Sequence, residues 1–394
     1  MNKVEPRTLK GFRDFLPKEA RKRQYVIDTL KKVFESYGFE PLETPSLEYE
    51  DILLGKYGDE GDKLMYRFED NGQRRVALRY DQTVPLARVA AQYQNDLPQP
   101  FKRYQIQNVW RAENTQKGRF REFLQCDIDT IGEKSVGCDA EILIIVDSCL
   151  KKLGFENFKI IINDRSNFEG IDPSAIATID KLKKIGPEGV KEELRQKGLD
   201  DNLLEQIQSK KPTEWIQILL NNKETISSNL EYEPTLARGL DYYTGIIIEV
   251  EIEGFDAGSV GGGGRYDNLI GMFSSNDMPA VGFAFGFDRL MEAMEEKNLF
   301  PQLTTTKVLV TVPSSEIEDV VWNIGILLRS KDINTETYLN AIPMEKQFRY
   351  AEKKNIPYVV VPLNENEVEL RTKNEDGSIN KQTLTLEQLI EKLQ

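Results

Sequence analysis

The sequence predicts an α+β chain: an antiparallel-sheet core interrupted by a helical insertion and followed by a small α/β domain. Three observations carry that prediction. Residues 65–80 and 100–132 each hold two β-patterned runs folded back across a polar turn or loop. Residues 164–232 change texture to charged helical stretches such as KLKKIGPEGVKEELRQKG and EWIQILLNNKETISSNL. Beyond residue 307 strand and helix patterns alternate as βαβαβ, the rhythm of a small, mostly parallel unit.

Taken in order, residues 18–38 place Tyr25, Val26, Leu30, Val33 and Phe34 at helical spacing and stop at Gly38, a C-cap residue. Phe39 to Pro45 reads as extended, with Pro45 favouring an edge or interface. Asp70-Asn71-Gly72 is a hairpin-turn signal between two short strands. PFKRYQIQNVWRAE is a strand, NTQKGRF a polar loop and REFLQCDIDTIG the returning strand. Residues 141–153 form a helix and Lys159-Ile160-Ile161-Ile162 a buried strand. After the insertion, residues 243–253 are β-patterned, a run of four glycines follows, and AVGFAFGFDRLMEAM passes from strand to helix. The expected domains are a core of 1–163 and 233–298, an insertion of 164–232, a linker of 299–306 and a terminal domain of 307–394.

Composition narrows the function. With 394 residues, 39% hydrophobic and 30% charged, the chain has the make-up of a folded protein of two or three domains. No apolar run approaches the roughly 20 residues that cross a bilayer, and MNKVEPRTLKGFRDF lacks the apolar core of a signal peptide. The expectation is a cytoplasmic protein with no membrane partner. Cys126, Cys138 and Cys149 form no Cys-x-x-Cys pair, so no disulfide framework or thiolate zinc site is encoded.

There is no histidine at all. That removes a Ser-His-Asp triad, an imidazole base and any His-ligated metal. No metal site made by the protein alone is expected; an ion on oxygen ligands suits Mg²⁺ accompanying a nucleotide. A net charge of −13 argues against non-specific binding to phosphate backbones, although local patches can still bind nucleic acid.

Four segments carry candidate chemistry. Arg111 and Glu113 end one strand, Lys117, Arg119 and Arg121 line the loop, and Arg121, Phe123, Gln125, Asp127 and Asp129 share one face of the returning strand. Such a face is costly to bury without a ligand or ion pairs; otherwise it is a solvated sheet face. Arg238-Gly-Leu-Asp-Tyr-Tyr-Thr244 suits a cation aimed at phosphate with phenols orienting a polar ring, or ordinary tyrosine packing. Gly261 to Gly264 lets backbone approach something closely, or forms a flexible turn, and it matches neither a P-loop nor a Rossmann fingerprint. Arg289 falls in the first turns of a helix that follows a strand, the pattern of an anion site.

Together, in this order, the segments resemble the class II aminoacyl-tRNA synthetases, and the histidyl-tRNA synthetase family in particular. The first helix and Pro45 look like motif 1, the dimer-forming element; VWRAENTQKGRFREF like motif 2; GFAFGFDRL like motif 3. LARGLDYYTG, GGGGRYDNLIGMF, KGFRDFLP and RYDQTVPLAR are similar to segments of the same family. The resemblance spans essentially the whole chain and implies a class II antiparallel catalytic core and a carboxy-terminal anticodon-binding domain.

What the resemblance implies is concrete. Arg111 would hold the α-phosphate of ATP, with Glu113 and Arg119 at the nucleotide and Arg289 at its γ-phosphate end. Arg238 would serve α-phosphate and substrate carboxylate. Asp81, Thr83 and Gln125 would fix the substrate ammonium, and Asp129 and Tyr243, with Tyr242 beside it, would bond the imidazole. Asn114, Gln116 and Lys117 would meet the tRNA acceptor end, and Lys346, Arg349, Lys353 and Lys354 would read the anticodon. Partners would be L-histidine, ATP with Mg²⁺, tRNA(His) and a second copy in a homodimer, with no DNA. The rivals are inactive relatives: a regulatory subunit of ATP phosphoribosyltransferase, or a domain sensing uncharged tRNA.

Beside such an activity the missing histidines gain a meaning. Translation of this chain would make no demand on the charged tRNA it produces. The alternative is design, engineering or drift in an unusual lineage; introducing several surface histidines and following enzyme levels through histidine starvation tests this, since synthesis should persist for the histidine-free sequence and fall for the histidine-bearing one.

Overall fold

The computed structural model describes residues 4–54, 64–115, 119–238, 242–274, 277–374 and 376–394. The chain divides into two compact units, Met1–Phe300 and Pro301–Gln394.

The first unit is built on an eight-stranded sheet in the order β1-β5-β6-β11-β10-β9-β7-β8. Its strands are β1 (Glu40–Pro41), β5 (Phe101–Trp110), β6 (Glu122–Ile131), β7 (Phe158–Asp164), β8 (Leu230–Tyr232), β9 (Ile246–Ile252), β10 (Gly261–Arg265) and β11 (Ala280–Gly286). All neighbours run antiparallel except β1 with β5 and β7 with β8. A smaller sheet joins β2 (Leu47–Tyr49), β4 (Arg75–Leu78) and β3 (Arg67–Glu69) in that order.

Three helices, α1 (Pro17–Ser36), α4 (Val136–Lys152) and α10 (Phe287–Glu296), cover one face of the large sheet. Val26, Leu30 and Phe34 of α1, Ile142 and Val146 of α4 and Leu290 of α10 meet Leu124, Cys126 and Ile128 of β6 there. The three thiols are free and buried. Under the opposite face sit α3 (Thr83–Gln92) and part of the helical stretch. That stretch comprises α5 (Pro173–Ile179), α6 (Leu182–Gln196, broken at Gly186), α7 (Leu203–Gln208), α8 (Glu214–Asn221) and α9 (Lys223–Ile226), while α2 (Glu50–Leu53) packs by the small sheet. Among the described residues no helix is long and apolar enough to cross a membrane.

Two local readings are sharpened by the structure. The β3–β4 hairpin exists, but its left-handed residue is Gln73 (φ 58°), not Asn71 or Gly72. The Asp70 carboxylate accepts the N–H groups of Gly72 and Arg74, which widens the turn beyond a two-residue loop. The four glycines are no flexible turn: they form β10, fully buried between β9 and β11.

In the second unit β13 (Thr335–Thr337), β12 (Val308–Val310) and β14 (Tyr358–Pro362) pair in parallel, with α11 (Glu318–Arg329) and α12 (Met344–Lys353) as crossovers. The βαβαβ pattern is therefore present. Residues 367–385 add an antiparallel hairpin, β15 (Glu367–Lys373) and β16 (Ile379–Thr385), before α13 (Leu386–Leu393), so the sheet is mixed. On and beside α12, Arg349 pairs with Glu345 and Lys354 with Glu336, which leaves this face less cationic than its sequence suggests.

The tight seam between β10 and β11 is open to test. A Cβ on Gly263 would lie 2.1 Å from the Gly282 carbonyl oxygen and 2.7 Å from the Phe283 Cα. Backbone cannot yield as a side chain can, so Gly263→Ala should lower the unfolding free energy in urea by about 1–3 kcal/mol.

Candidate active site

A cavity of about 720 Å³ opens on the sheet face opposite α1, α4 and α10. Alternation along β6 sends Leu124, Cys126 and Ile128 to the core and Gln125, Asp127 and Asp129 to the cavity. On β11 the cavity-facing positions are Gly282, Ala284 and Gly286. These small residues make the space. A Cβ on Gly282 would fall 1.9 Å from Asp129 Oδ1, and one on Gly262 would fall 2.5 Å from the Arg238 guanidinium.

One end is cationic. Arg111 donates from Nε to the Tyr80 carbonyl (3.0 Å), and its guanidinium lies 5.1 Å from the Phe123 ring centre. Arg238 Nη1 donates to Glu249 Oε2 (2.8 Å) and Ser259 Oγ (2.9 Å), while Arg289 Nη1 donates to the Ser259 carbonyl (3.1 Å). Half-exposed Arg119 faces Glu113 at 3.7 Å. Burial lowers the Arg289 pKa, and the neighbouring charges of Arg119 and Arg238 lower it further. Burial raises Glu249, but Arg238 and Lys183 outweigh it and hold that carboxyl below its usual value. Three crowded guanidinia suit a polyanion that relieves their repulsion.

The other end is acidic and phenolic. Asp81 is buried just before α3, with Thr83 at the first helical position. Tyr242 donates to the Tyr243 hydroxyl (3.1 Å), their ring centres 4.3 Å apart. Tyr266 donates to Asp129 Oδ1 in a short bond. Arg103, fully buried on β5 and directly opposite Asp129, brings Nη2 to 2.7 Å from Oδ2, an ion pair whose angles fall short of a hydrogen bond. Burial pushes Asp129 up, opposed by Arg103 and by the Tyr266 bond. It pushes Asp127 well above the usual carboxylate range, opposed by Arg103 and reinforced by Asp129 and Asp81. Burial likewise raises Tyr242, Tyr243 and Tyr266, which keeps these phenols neutral. Behind Tyr266, Arg265 is locked to buried Asp139 at 2.7 Å.

The cavity gathers Asp81, Thr83, Arg111, Glu113, Arg119, Gln125, Asp129, Arg238, Tyr242, Tyr243 and Arg289, residues 81 to 289 of the chain. Asn114 is exposed and outside the lining, and Gln116 and Lys117 lie outside the described residues. The solvated-face alternative for β6 fails, because Asp127 and Asp129 are 3% and 4% exposed. Sequence reasoning assigned no role to Arg103, Tyr266, Glu249 or Ser259. A signal existed for Arg103: Arg103, Gln105 and Gln107 alternate along a strand otherwise rich in buried residues.

A sheet floor with arginines at one end and buried acceptors at the other is what the resemblance to class II aminoacyl-tRNA synthetases implies. Residues 11–171 and 165–290 match the family model for histidyl-tRNA synthetase, and 307–394 match that for an anticodon binding domain. The histidine–tRNA ligase of Helicobacter hepaticus is 41% identical over 94% of this chain and 93% of its own length. That of Christiangramia forsetii is 38% identical over 91% and 92%. The crystal structure of histidyl-tRNA synthetase from Nostoc sp. PCC 7120 is similar with a TM-score of 0.86 and 29% identity, over 99% of each chain. The chain belongs to the histidyl-tRNA synthetase family.

Arg103 tests the electrostatics of the floor. Arg103→Met leaves Asp129 and Asp127 buried without their cation and should destabilise the protein by about 3–5 kcal/mol in chemical denaturation.

Proposed function

We propose that this chain is a histidine–tRNA ligase, which activates L-histidine with ATP and transfers it to the 3′ end of tRNA(His). The observation that carries this is the convergence of eleven expected residues on one cavity, guanidinia at one end and carboxylates with phenols at the other.

In the first step a histidine carboxylate oxygen attacks the α-phosphorus of ATP, forming the acyl phosphate bond of histidyl-adenylate as the bond to pyrophosphate breaks. Arg111 and Arg238 hold α-phosphate and carboxylate together, Arg289 and Arg119 take the far phosphates, and Glu113 places the nucleotide. In the second step the 3′-hydroxyl of the terminal adenosine attacks the acyl carbon and AMP leaves. Fixed cations that meet developing negative charge, and the close approach of two bound reactants, supply the rate. No imidazole base is required, in keeping with a chain that has none.

At the other end Asp81, Thr83 and Gln125 take the ammonium, and Asp129 with Tyr243 and Tyr242 takes the imidazole. A buried polar set of this kind rejects apolar isosteres, because its own groups would be left unpaired. Mg²⁺ accompanies the nucleotide. Among the described residues no cluster of three or more acidic or thiol side chains could hold a metal by itself, so the phosphates would supply most of its ligands. Asn114, with Gln116 and Lys117, would contact the acceptor end of the tRNA, and the terminal domain, with Lys346, Arg349, Lys353 and Lys354, would meet the anticodon. The protein works as a cytoplasmic homodimer. An inactive regulatory or tRNA-sensing relative would have no use for the complete set of Arg111, Glu113, Arg238 and Arg289.

Histidine-dependent exchange of pyrophosphate into ATP is the test. Purified, folded protein should catalyse it, and its absence would sink the assignment. Arg238→Ala should reduce the exchange rate by about 100–1,000-fold; full activity in that variant would refute the role given to Arg238.

A further inference from the structure

Leu9 to Leu16 lie outside every helix and strand and have no role in the scheme above. They nevertheless tie together the two segments that carry its phosphate-binding arginines. Gly11 sits at the base of the loop between β5 and β6. Its carbonyl accepts the Arg121 N–H (2.9 Å), and the Arg121 carbonyl accepts that of Arg111 (2.9 Å). The Gly11 backbone is left-handed (φ 88°), and a Cβ there would fall 2.7 Å from Arg121 Cγ and 2.9 Å from Thr115 Cγ2. The segment therefore presses on both limbs of the loop.

Arg13 reaches from that loop to α10. Its guanidinium carbon is 3.2 Å from the Phe120 ring centre, and Nη2 donates to Asp288 Oδ2 (2.6 Å). Its Nε is buried and has no hydrogen-bond partner among the described residues, so ring stacking and the ion pair fix the group. Phe120 and Asp288 line the cavity, whereas no residue of 9–16 does.

Asp288 precedes Arg289 in the first turn of α10. A carboxylate at that place stands among groups meant for phosphate, and a bare one would repel the phosphates and draw the guanidinia to itself. Arg13 holds one of its oxygens and Arg23 of α1 the other (3.2 Å). Two cations on one carboxylate leave the cluster positive. These side chains are only 13–25% exposed, so solvent screens the cluster less than it would a surface pair.

We infer, on the ligase reading, that Arg13 is a positioning residue for the nucleotide. Held against Phe120, it acts through Asp288, whose charge it withholds from Arg289 and from the phosphates of ATP. It touches no substrate. The histidine end of the cavity is not in contact with it, so the effect falls on ATP alone.

Arg13→Ala, Arg13→Lys and the double variant Arg13→Ala with Asp288→Asn test this beside the parent. The readouts are histidine-dependent exchange and the rise in melting temperature given by ATP with Mg²⁺. Arg13→Ala should raise the KM for ATP about 10-fold, leave that for histidine unchanged and shrink the thermal shift. Arg13→Lys, which keeps the cation, should stay close to the parent. Asp288→Asn should restore ATP binding in the Arg13→Ala background, because the charge to be withheld is gone. A parental KM for ATP in Arg13→Ala would overturn the inference. So would an equal rise in both KM values, or a double variant no better than Arg13→Ala, since a merely structural strap predicts these. If Arg13→Ala does not fold, Arg13→Gln decides, and a parental KM for ATP there would overturn it. Because the thermal shift needs no turnover, a parent that binds ATP yet shows no exchange would count against the ligase reading alone.

Discussion

Alternation along the central strands of the large sheet is the constraint from which the site follows. Leu124, Cys126 and Ile128 of β6, and Val281, Phe283 and Phe285 of β11, point into an apolar layer sealed by α1, α4 and α10. That layer fixes the register, since a slip of one residue would drive Asp127 and Asp129 into it and lift the aliphatic side chains out. The opposite positions are thereby presented to the cavity at fixed spacing. They can be polar on β6 and nearly absent on β10 and β11 because the other face supplies the burial that holds the strands.

The charges obey the same economy of position. Few ionisable groups on this floor face water, so each must be met by another group or by a ligand. Arg103 meets Asp129, and Arg265 meets Asp139. Arg238, Arg289 and Arg119 crowd each other at one end, and Asp127 Oδ1 and Asp129 Oδ2 lack hydrogen-bond partners near the other. The crowded cations lie where an anionic phosphate chain would dock in the ligase scheme. A site that is incomplete alone binds what completes it, at some loss of stability when empty.

The absence of histidine and the proposed chemistry are compatible for a physical reason. Carboxylate attack on phosphorus needs fixed positive charge and alignment more than a base titrating near neutrality. Arginine, carboxylate and phenol suffice, and in the proposed complex the only imidazole in the pocket is the substrate's.

Much of this was legible in the sequence, and the limits have causes. The helix at α1, the strands β5 and β6 and the crossovers of the terminal unit follow from hydrophobic periodicity and local turn chemistry, which neighbouring residues determine among themselves. So does the common face of Gln125, Asp127 and Asp129. Four glycines, by contrast, carry no strand propensity; β10 exists because β9 and β11 hold it on both edges and because nothing larger fits beneath Arg238. The pairing of Arg103 with Asp129, the bond from Tyr266 and the burial of Asp127 beside them depend on which strands lie side by side. Sequence determined which chemical groups this protein has and their order along each strand. Tertiary structure alone decided which of those groups meet, because charge and hydrogen bonding act over a few ångströms of space, whatever the separation along the chain.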